Sequence, residues 1–79
     1  MIDERFDGKK VYRYMQGPKA AYDIRGKYIY RANTIGRAAY EIRGNVVRLP
    51  NSTLPPIYEL RGTLIYAHGG MGRPIFEIR

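Results

Sequence analysis

Residues 39–44 read AYEIRG, and this hexapeptide returns with small changes at a fixed distance along the chain. Residues 21–26 read AYDIRG, residues 57–62 read IYELRG, and residues 75–79 read IFEIR. Each copy begins 18 residues after the one before it. A strict period of this kind indicates a repeat architecture, in which each unit buries its apolar face against its neighbours.

The period places residues of one kind at corresponding positions. The turn glycines are Gly8, Gly26, Gly44 and Gly62. The apolar residues before the turn are Ile24, Ile42, Leu60 and Ile78, and those after it are Val11, Ile29, Val47 and Ile65. Apolar and charged residues alternate in each copy, which is typical of a half-buried strand, and a glycine then supplies the positive φ of a hairpin turn. We therefore predict an all-β protein, with one domain over residues 1–79 and hairpin repeats at about 8–25, 26–43, 44–61 and 62–79.

Two architectures accommodate four units of this length. One is a closed, pseudo-fourfold ring of hairpins, and the other is a left-handed β-helix whose coils have six-residue sides. A β-helix would stack the arginines of successive copies ~4.8 Å apart. Like charges directly opposite one another destabilise a sheet, so we favour the ring.

The ring gives the incomplete last copy a role. We expect the C-terminal strand, which ends at Arg79, to pair with the strand at residues 9–14 and close the ring. Closure removes the exposed edges of a sheet. The alternative is that residues 2–7 complete the first hairpin, because Phe6 fits the apolar column, and that the last strand adds outside it.

The motif G-x-x-x-Y-[DE]-I-R-G-x-x-I-Y, in the forms seen at residues 18–30 and 36–47, resembles the small bacterial 4-fold β-flower proteins. The resemblance covers nearly the whole chain from Gly8 onward. It implies four hairpin petals around a central axis, and it implies no settled activity and no catalytic residues. The chain departs from the pattern where Arg48 replaces a tyrosine and where Leu54-Pro55-Pro56 replaces the Gly-Arg that leads into the third copy.

Composition argues against several classes of function. The chain has no cysteine and one histidine, so neither a disulfide nor a common zinc site is expected. No apolar stretch approaches the ~20 residues that span a membrane. The start of the chain, MIDERFDGKK, is too charged for a signal peptide. We expect a cytoplasmic protein that does not enter the membrane, or else a domain of a longer secreted chain.

The residues that carry chemistry in other proteins predict no enzyme here. His68 lies in a glycine-rich loop without the Gly-Lys-Ser/Thr of a phosphate-binding loop. A carboxylate recurs in every copy and is followed two residues later by arginine, which favours ion pairs over acid–base catalysis. These carboxylates are Asp23, Glu41, Glu59 and Glu77. We therefore expect no catalytic residues, no cofactor and no metal.

The basic excess is the more informative feature. The net charge is +7, eight residues are tyrosine, and several cations adjoin tyrosines, as in Tyr12-Arg13-Tyr14. Single-stranded nucleic acid is bound by such mixtures, in which cations contact phosphates and rings stack on bases. The candidate residues for binding an anion or nucleic acid are Arg13, Lys27, Tyr28, Tyr30, Arg31, Arg37, Arg48 and Arg73.

A second candidate site follows from the ring itself. The recurring arginines would bind phosphate or sulfate if they converged at one end of a central channel and if their carboxylates did not neutralise them. This possible axial ring consists of Arg25, Arg43, Arg61 and Arg79. The function we predict is a non-catalytic binding module for nucleic acid or another polyanion. The alternative is a structural or accessory module that binds a protein partner, for which tyrosine and arginine are also suited.

Overall fold

The computed structural model describes residues 4–15, 17–32, 36–69 and 72–79, and this part of the chain contains eight strands and no helix. The strands are β1 (Lys10–Arg13), β2 (Ala20–Arg25), β3 (Tyr28–Arg31), β4 (Tyr40–Arg43), β5 (Val46–Arg48), β6 (Tyr58–Arg61), β7 (Leu64–Ala67) and β8 (Phe76–Ile78). Each strand pairs antiparallel with the next, and β8 pairs with β1, so the sheet closes into a barrel. The predicted all-β ring of hairpins is confirmed, and the β-helix alternative is wrong.

The seam between the first and last strands is fully hydrogen-bonded. Val11 faces Ile78 and Arg13 faces Phe76 across it. Lys10 and Arg79 exchange two backbone bonds, in which the Lys10 amide donates at 3.1 Å and the Arg79 amide at 2.9 Å. The C-terminal strand therefore closes against the N-terminal strand, as predicted, and does not add outside a separate first hairpin.

Three hairpins turn in two residues each. Residues 26–27 join β2 to β3, residues 44–45 join β4 to β5, and residues 62–63 join β6 to β7. The first residue of each turn has φ between 57° and 63°. Glycine adopts this left-handed conformation without the steric cost that a Cβ brings, and turns of this type match the twist of the strands. These turns form one end of the barrel, here called the turn end, and the longer connections form the loop end.

The interior is filled by the two apolar columns of the sequence. Ile24 faces Ile29 in the first hairpin, and the next two hairpins repeat this pairing with Ile42 facing Val47 and Leu60 facing Ile65. Inward residues of alternate strands stack in layers, as expected in a small barrel. The buried core consists of Phe6, Val11, Ile24, Ile29, Ile42, Val47, Leu60, Ile65, Phe76 and Ile78.

Residues 4–9 run against the turn end instead of forming a strand. The Arg5 guanidinium donates to the carbonyl of Gly44 at 2.6 Å, and the amide of Gly26 donates to the Asp7 carboxylate at 2.6 Å. These bonds hold the buried ring of Phe6 in the core cluster. Phe6 therefore contributes to the core, but the idea that residues 2–7 complete a hairpin does not hold for the described residues 4–7.

Candidate nucleic-acid interface

The recurring arginines lie on the outside of the barrel. Arg25, Arg43, Arg61 and Arg79 are all exposed. Successive strand residues point to opposite faces, and each arginine adjoins a core residue that points inward. They do not form the predicted ring at the end of a central channel. The axis is closed, because the apolar space left between the inner side chains is only ≈ 10 Å³.

The sequence predicted an ion pair between arginine and carboxylate in all four copies, and the structure shows it in three of them. The pairs are Arg43 Nε to Glu41 Oε1 at 3.5 Å, Arg61 Nη2 to Glu59 Oε1 at 2.6 Å, and Arg79 Nη2 to Glu77 Oε1 at 3.2 Å. In the first copy Asp23 pairs with Lys10 at 2.9 Å, and this hydrogen bond raises the pKa of Lys10. The Arg61–Glu59 and Arg79–Glu77 pairs are solvent-accessible on both sides and contribute about 1 kcal/mol or less each, whereas Glu41 is buried.

Three outward tyrosines carry an arginine on their ring. The guanidinium carbon lies 4.9 Å from the ring centroid for Arg25 on Tyr30, 4.8 Å for Arg61 on Tyr66, and 4.6 Å for Arg79 on Tyr12. At the corresponding place in the remaining hairpin the chain has Arg48. Its guanidinium donates to the carbonyls of Ser52 and Leu54, and thus fastens the proline-rich loop to the barrel. Arg48 therefore has a structural role, and it faces Glu41 across the β4–β5 pair.

A groove runs along the outer face of β3. It has a volume of ≈ 550 Å³, and we call it the β3 groove. Its lining residues are Tyr28, Tyr30, Arg37, Ala38, Pro50 and Asn51. Tyr28 and Tyr30 are two residues apart on one strand, so both rings point outward from the sheet. The structure thus brings together three of the eight residues that the sequence singled out.

Cations border both tyrosine rings of the β3 groove. Arg25 lies over Tyr30, and the Lys27 ammonium is 5.6 Å from the centroid of the Tyr28 ring. Lys27 is also 3.3 Å from the carboxylate of Glu41, which is only 3 % exposed. Arg37 is exposed and forms no ion pair with any other described residue. The groove therefore combines two half-buried aromatic rings with a net positive border.

Arg13 and Arg31 lie apart from the groove, at the loop end. Arg13 faces Phe76 across the β1–β8 seam, and Arg31 faces Tyr22 across the β2–β3 pair. Both therefore belong to the inner surface, where they flank a square of aromatic rings. Neighbouring rings of this square meet edge to face, with centroids 5.6–5.8 Å apart. The four rings are those of Tyr22, Tyr40, Tyr58 and Phe76.

Burial raises the pKa of the Tyr22 hydroxyl above its ordinary value of 10.0, and the neighbouring Tyr40 hydroxyl adds to the shift. The positive charges of Arg31 and Arg13 oppose it. Burial likewise raises the pKa of Tyr40, and the Tyr58 hydroxyl reinforces that effect. Both hydroxyls are therefore protonated near neutral pH, and they are hydrogen-bonded to their neighbours in the square.

Arg73, the remaining candidate, lies elsewhere. Arg73 and His68 are exposed on the last long connection, and neither lines the β3 groove. The backbone amide of His68 donates to the carbonyl of Ile57 at 3.1 Å. Within the described ranges no group of three or more His, Asp or Glu side chains is placed to hold a metal ion.

Sequence reasoning missed half of the groove lining. Pro50 and Asn51 belong to the connection after β5, and Asn51 has a positive φ of 54° that only the backbone geometry reveals. The available signal was the departure of this connection from the repeat, since the same departure places Arg48 where a tyrosine is expected. The sequence analysis did not select Tyr22 as a site residue, because it occupies a recurring position of the repeat that suggested a role in the core.

Comparison of the chain with protein-family models, with curated proteins and with solved structures finds no match to any of them. No helix in the described part of the chain combines the length and the apolar character needed to cross a lipid bilayer.

Proposed function

We propose that the protein is a non-catalytic binding module that holds single-stranded nucleic acid in the β3 groove. The observation that carries the proposal is the pairing of two adjacent outward rings, Tyr28 and Tyr30, with a cationic border. Bases stack on such rings without regard to sequence, and each stacked base contributes about 1–3 kcal/mol. Arg25 and Arg37 supply the charge that phosphates require.

The corresponding residues two repeats further along the chain provide a matched control. Tyr66 corresponds to Tyr30, and it also lies under an arginine, with Arg61 4.8 Å from its centroid. Arg73 corresponds to Arg37. Neither control residue lines the β3 groove. The variants Tyr30→Leu/Arg37→Ala and Tyr66→Leu/Arg73→Ala therefore remove the same side chains and the same charge, one from the groove and one from outside it.

The test is fluorescence anisotropy with a labelled oligothymidylate of about 10 nucleotides, within the site sizes of single-strand binders. The groove variant is expected to weaken binding at least about tenfold, and the control by less than about twofold. Loss of the Arg37 contact should also reduce the slope of log K against log salt concentration by about 1. Equal weakening in both variants, or no binding by the parent protein at about 50 mM salt, would overturn the proposal.

The alternative function is a module that binds a protein partner. It is supported by large apolar side chains left exposed near the loop end, among them Met15 at 81 % and Leu54 at 58 %. Surface patches of this kind mark protein contacts when they are contiguous. A parent protein that ignores single strands at every salt concentration, but loses a purified partner on Leu54→Ser substitution, would favour this function.

We also propose membership of the 4-fold β-flower family. The 18-residue period and the closed ring of hairpins support it. The test is an experimental structure in which quarter-turn rotations about the barrel axis superpose the four hairpins. A barrel whose hairpins do not superpose in this way would contradict the assignment.

A further inference from the structure

The inner surface at the loop end carries two arginines on neighbouring sides of the barrel. Arg13, Arg31, Leu49 and Ala67 occupy corresponding positions, each two residues after a buried valine or isoleucine. The alternation of strand side chains places Arg13, Arg31 and Ala67 on the inner face, and Leu49 directly follows β5. Among these four positions, the two charged residues are neighbours on one side and the two uncharged residues lie on the other.

Tyr22 lies between the two arginines, because β2 lies between β1 and β3. Together with Ala21 and Ala32, these three residues line a cleft of ≈ 410 Å³, here called the mouth cleft. The shared lining places two arginines and one tyrosine around the same space, and the charges of both arginines lower the pKa of the Tyr22 hydroxyl.

The backbone of β2 is irregular beside this cleft. Between β1 and β2 the pairing steps from Val11–Tyr22 to Tyr12–Ala20, so Ala21 forms a β-bulge. Bulges re-aim neighbouring side chains and are frequent beside functional sites. Ala21 is also small, like Ala39 in the next copy, whereas the last two copies carry Ile57 and Ile75. Because Ala21 lines the mouth cleft, a larger side chain there is expected to narrow it.

We propose that the mouth cleft binds the terminal phosphate group of a phosphate monoester. Two guanidinium forks match the oxygens of a tetrahedral dianion, and charge-assisted hydrogen bonds of this type are about twice as strong as neutral ones. The Tyr22 hydroxyl, which is hydrogen-bonded to that of Tyr40, adds a polar group to the lining of the same cleft. The proposal does not depend on the β3 groove. Arg31 lies on the inner face of β3, and the groove lies on the outer face of that strand. The same phosphate group ends a small monoester and a 5′-phosphorylated strand, so the experiment must separate the two sources.

The experiment is an amide NMR titration of the full chain with inorganic phosphate and with phenyl phosphate, against chloride at equal ionic strength. The main variant is Arg13→Ala/Arg31→Leu, which installs the residues found at positions 67 and 49. The control, Arg43→Ala/Arg61→Leu, removes equal charge from the outer face. In the parent protein we expect phosphate to shift the amide signals around Tyr22, and chloride to leave them unchanged. Relative to the parent, phosphate binding should be at least about tenfold weaker in the main variant and less than about twofold weaker in the control.

Two further variants keep the test decisive if the double variant folds poorly. Ala21→Ile narrows the cleft without changing charge, and Tyr22→Phe installs the residue of position 76. Both should weaken phosphate binding while the amide spectrum stays dispersed. Equal shifts in phosphate and chloride, or no loss of phosphate affinity in folded Ala21→Ile, would overturn the proposal.

A final arm compares 5′-phosphorylated and 5′-hydroxyl strands. A preference for the phosphorylated strand that disappears in Arg13→Ala/Arg31→Leu assigns the phosphate to a strand end, whereas binding of phenyl phosphate alone assigns it to a small molecule. Either result supports the cleft. The 5′-hydroxyl oligonucleotide carries no terminal phosphate. A change in its binding therefore tests the β3 groove and not the mouth cleft.

Discussion

At the turn end of the barrel corresponding positions carry nearly the same residue, whereas at the loop end they differ in charge, size and polarity. The layer next to the turns consists of Ile24, Ile42, Leu60 and Ile78. The inner mouth carries Arg13, Arg31, Leu49 and Ala67 instead. The turn end must fill a fixed space, and close packing tolerates few side chains there. The mouth opens to solvent, so packing does not dictate its residues, and the four repeats differ from one another there.

The largest effect should come from deleting core volume near the turns. Ile42 is 2 % exposed, so Ile42→Ala should lower the free energy of unfolding by about 2–5 kcal/mol through lost burial and a cavity. Leu49, at the loop end, is 37 % exposed and should cost about 1 kcal/mol or less when changed to alanine. Urea unfolding followed by circular dichroism measures both.

Equal destabilisation by Ile42→Ala and Leu49→Ala would contradict the difference in packing between the two ends. It would mean that the mouth is packed as tightly as the core. A chain of this size has a small margin of stability, so the Ile42→Ala variant should be measured with a stabilising osmolyte if it is unfolded in buffer.

A smaller effect should follow from replacing a turn glycine. Gly44 has φ 57°, and a Cβ built there meets no atom within 4 Å, so the cost of Gly44→Ala is that of the backbone conformation alone. We expect a loss of about 1–2 kcal/mol in the free energy of unfolding.

Gly72, at the loop end, provides the control. A Cβ there also meets nothing within 4 Å, and its φ lies outside the left-handed range. Gly72→Ala should therefore be neutral or slightly stabilising, because alanine reduces the freedom of the unfolded chain. A cost as large as that of Gly44→Ala would show that conformation does not distinguish the two glycines.

The fold was predictable because its determinants are local and repeated. Alternation in YEIR fixes which residues face inward, and a glycine after it fixes the turn. Closure was also predictable, since an open sheet would leave β1 and β8 as exposed edges. The position of residues 4–9 was not, because Phe6 fits the apolar column equally well as a strand residue and as a buried side chain beneath the turns.

The candidate sites were predictable only in part. Basic and aromatic neighbours pointed to Tyr28, Tyr30 and Arg37, which do meet in one groove. The axial ring of arginines failed because period-2 alternation puts Arg25 on the face opposite to Ile24. Reading that alternation strictly would have excluded the ring and would have placed Arg13 and Arg31 on the inner face at the mouth. The bulge at Ala21 has no sequence signal that we can identify.

The smallest effect concerns the tyrosine hydroxyls at the loop end. Burial raises the pKa values of Tyr22 and Tyr40 above 10.0 in the folded protein, so the native state holds these protons more tightly than the unfolded chain does. Their contribution to the free energy of unfolding is fully present below pH 10.0 and is lost as the pH rises through the folded-state pKa values. Urea midpoints measured on both sides of this range should therefore fall with rising pH.

The double variant Tyr22→Phe/Tyr40→Phe isolates this contribution, because it keeps the rings and removes only the hydroxyls. Its urea midpoint should fall less steeply with alkaline pH than that of the parent protein, and the two should differ least below the ordinary pKa of 10.0. The turn end has no buried hydroxyl among the described residues, so Ile42→Val should shift the whole curve without changing its slope. Parallel curves for the parent and the double variant would mean that tyrosine burial at the mouth does not couple protonation to folding. The loop end would then differ from the turn end in the residues it carries but not in its response to pH.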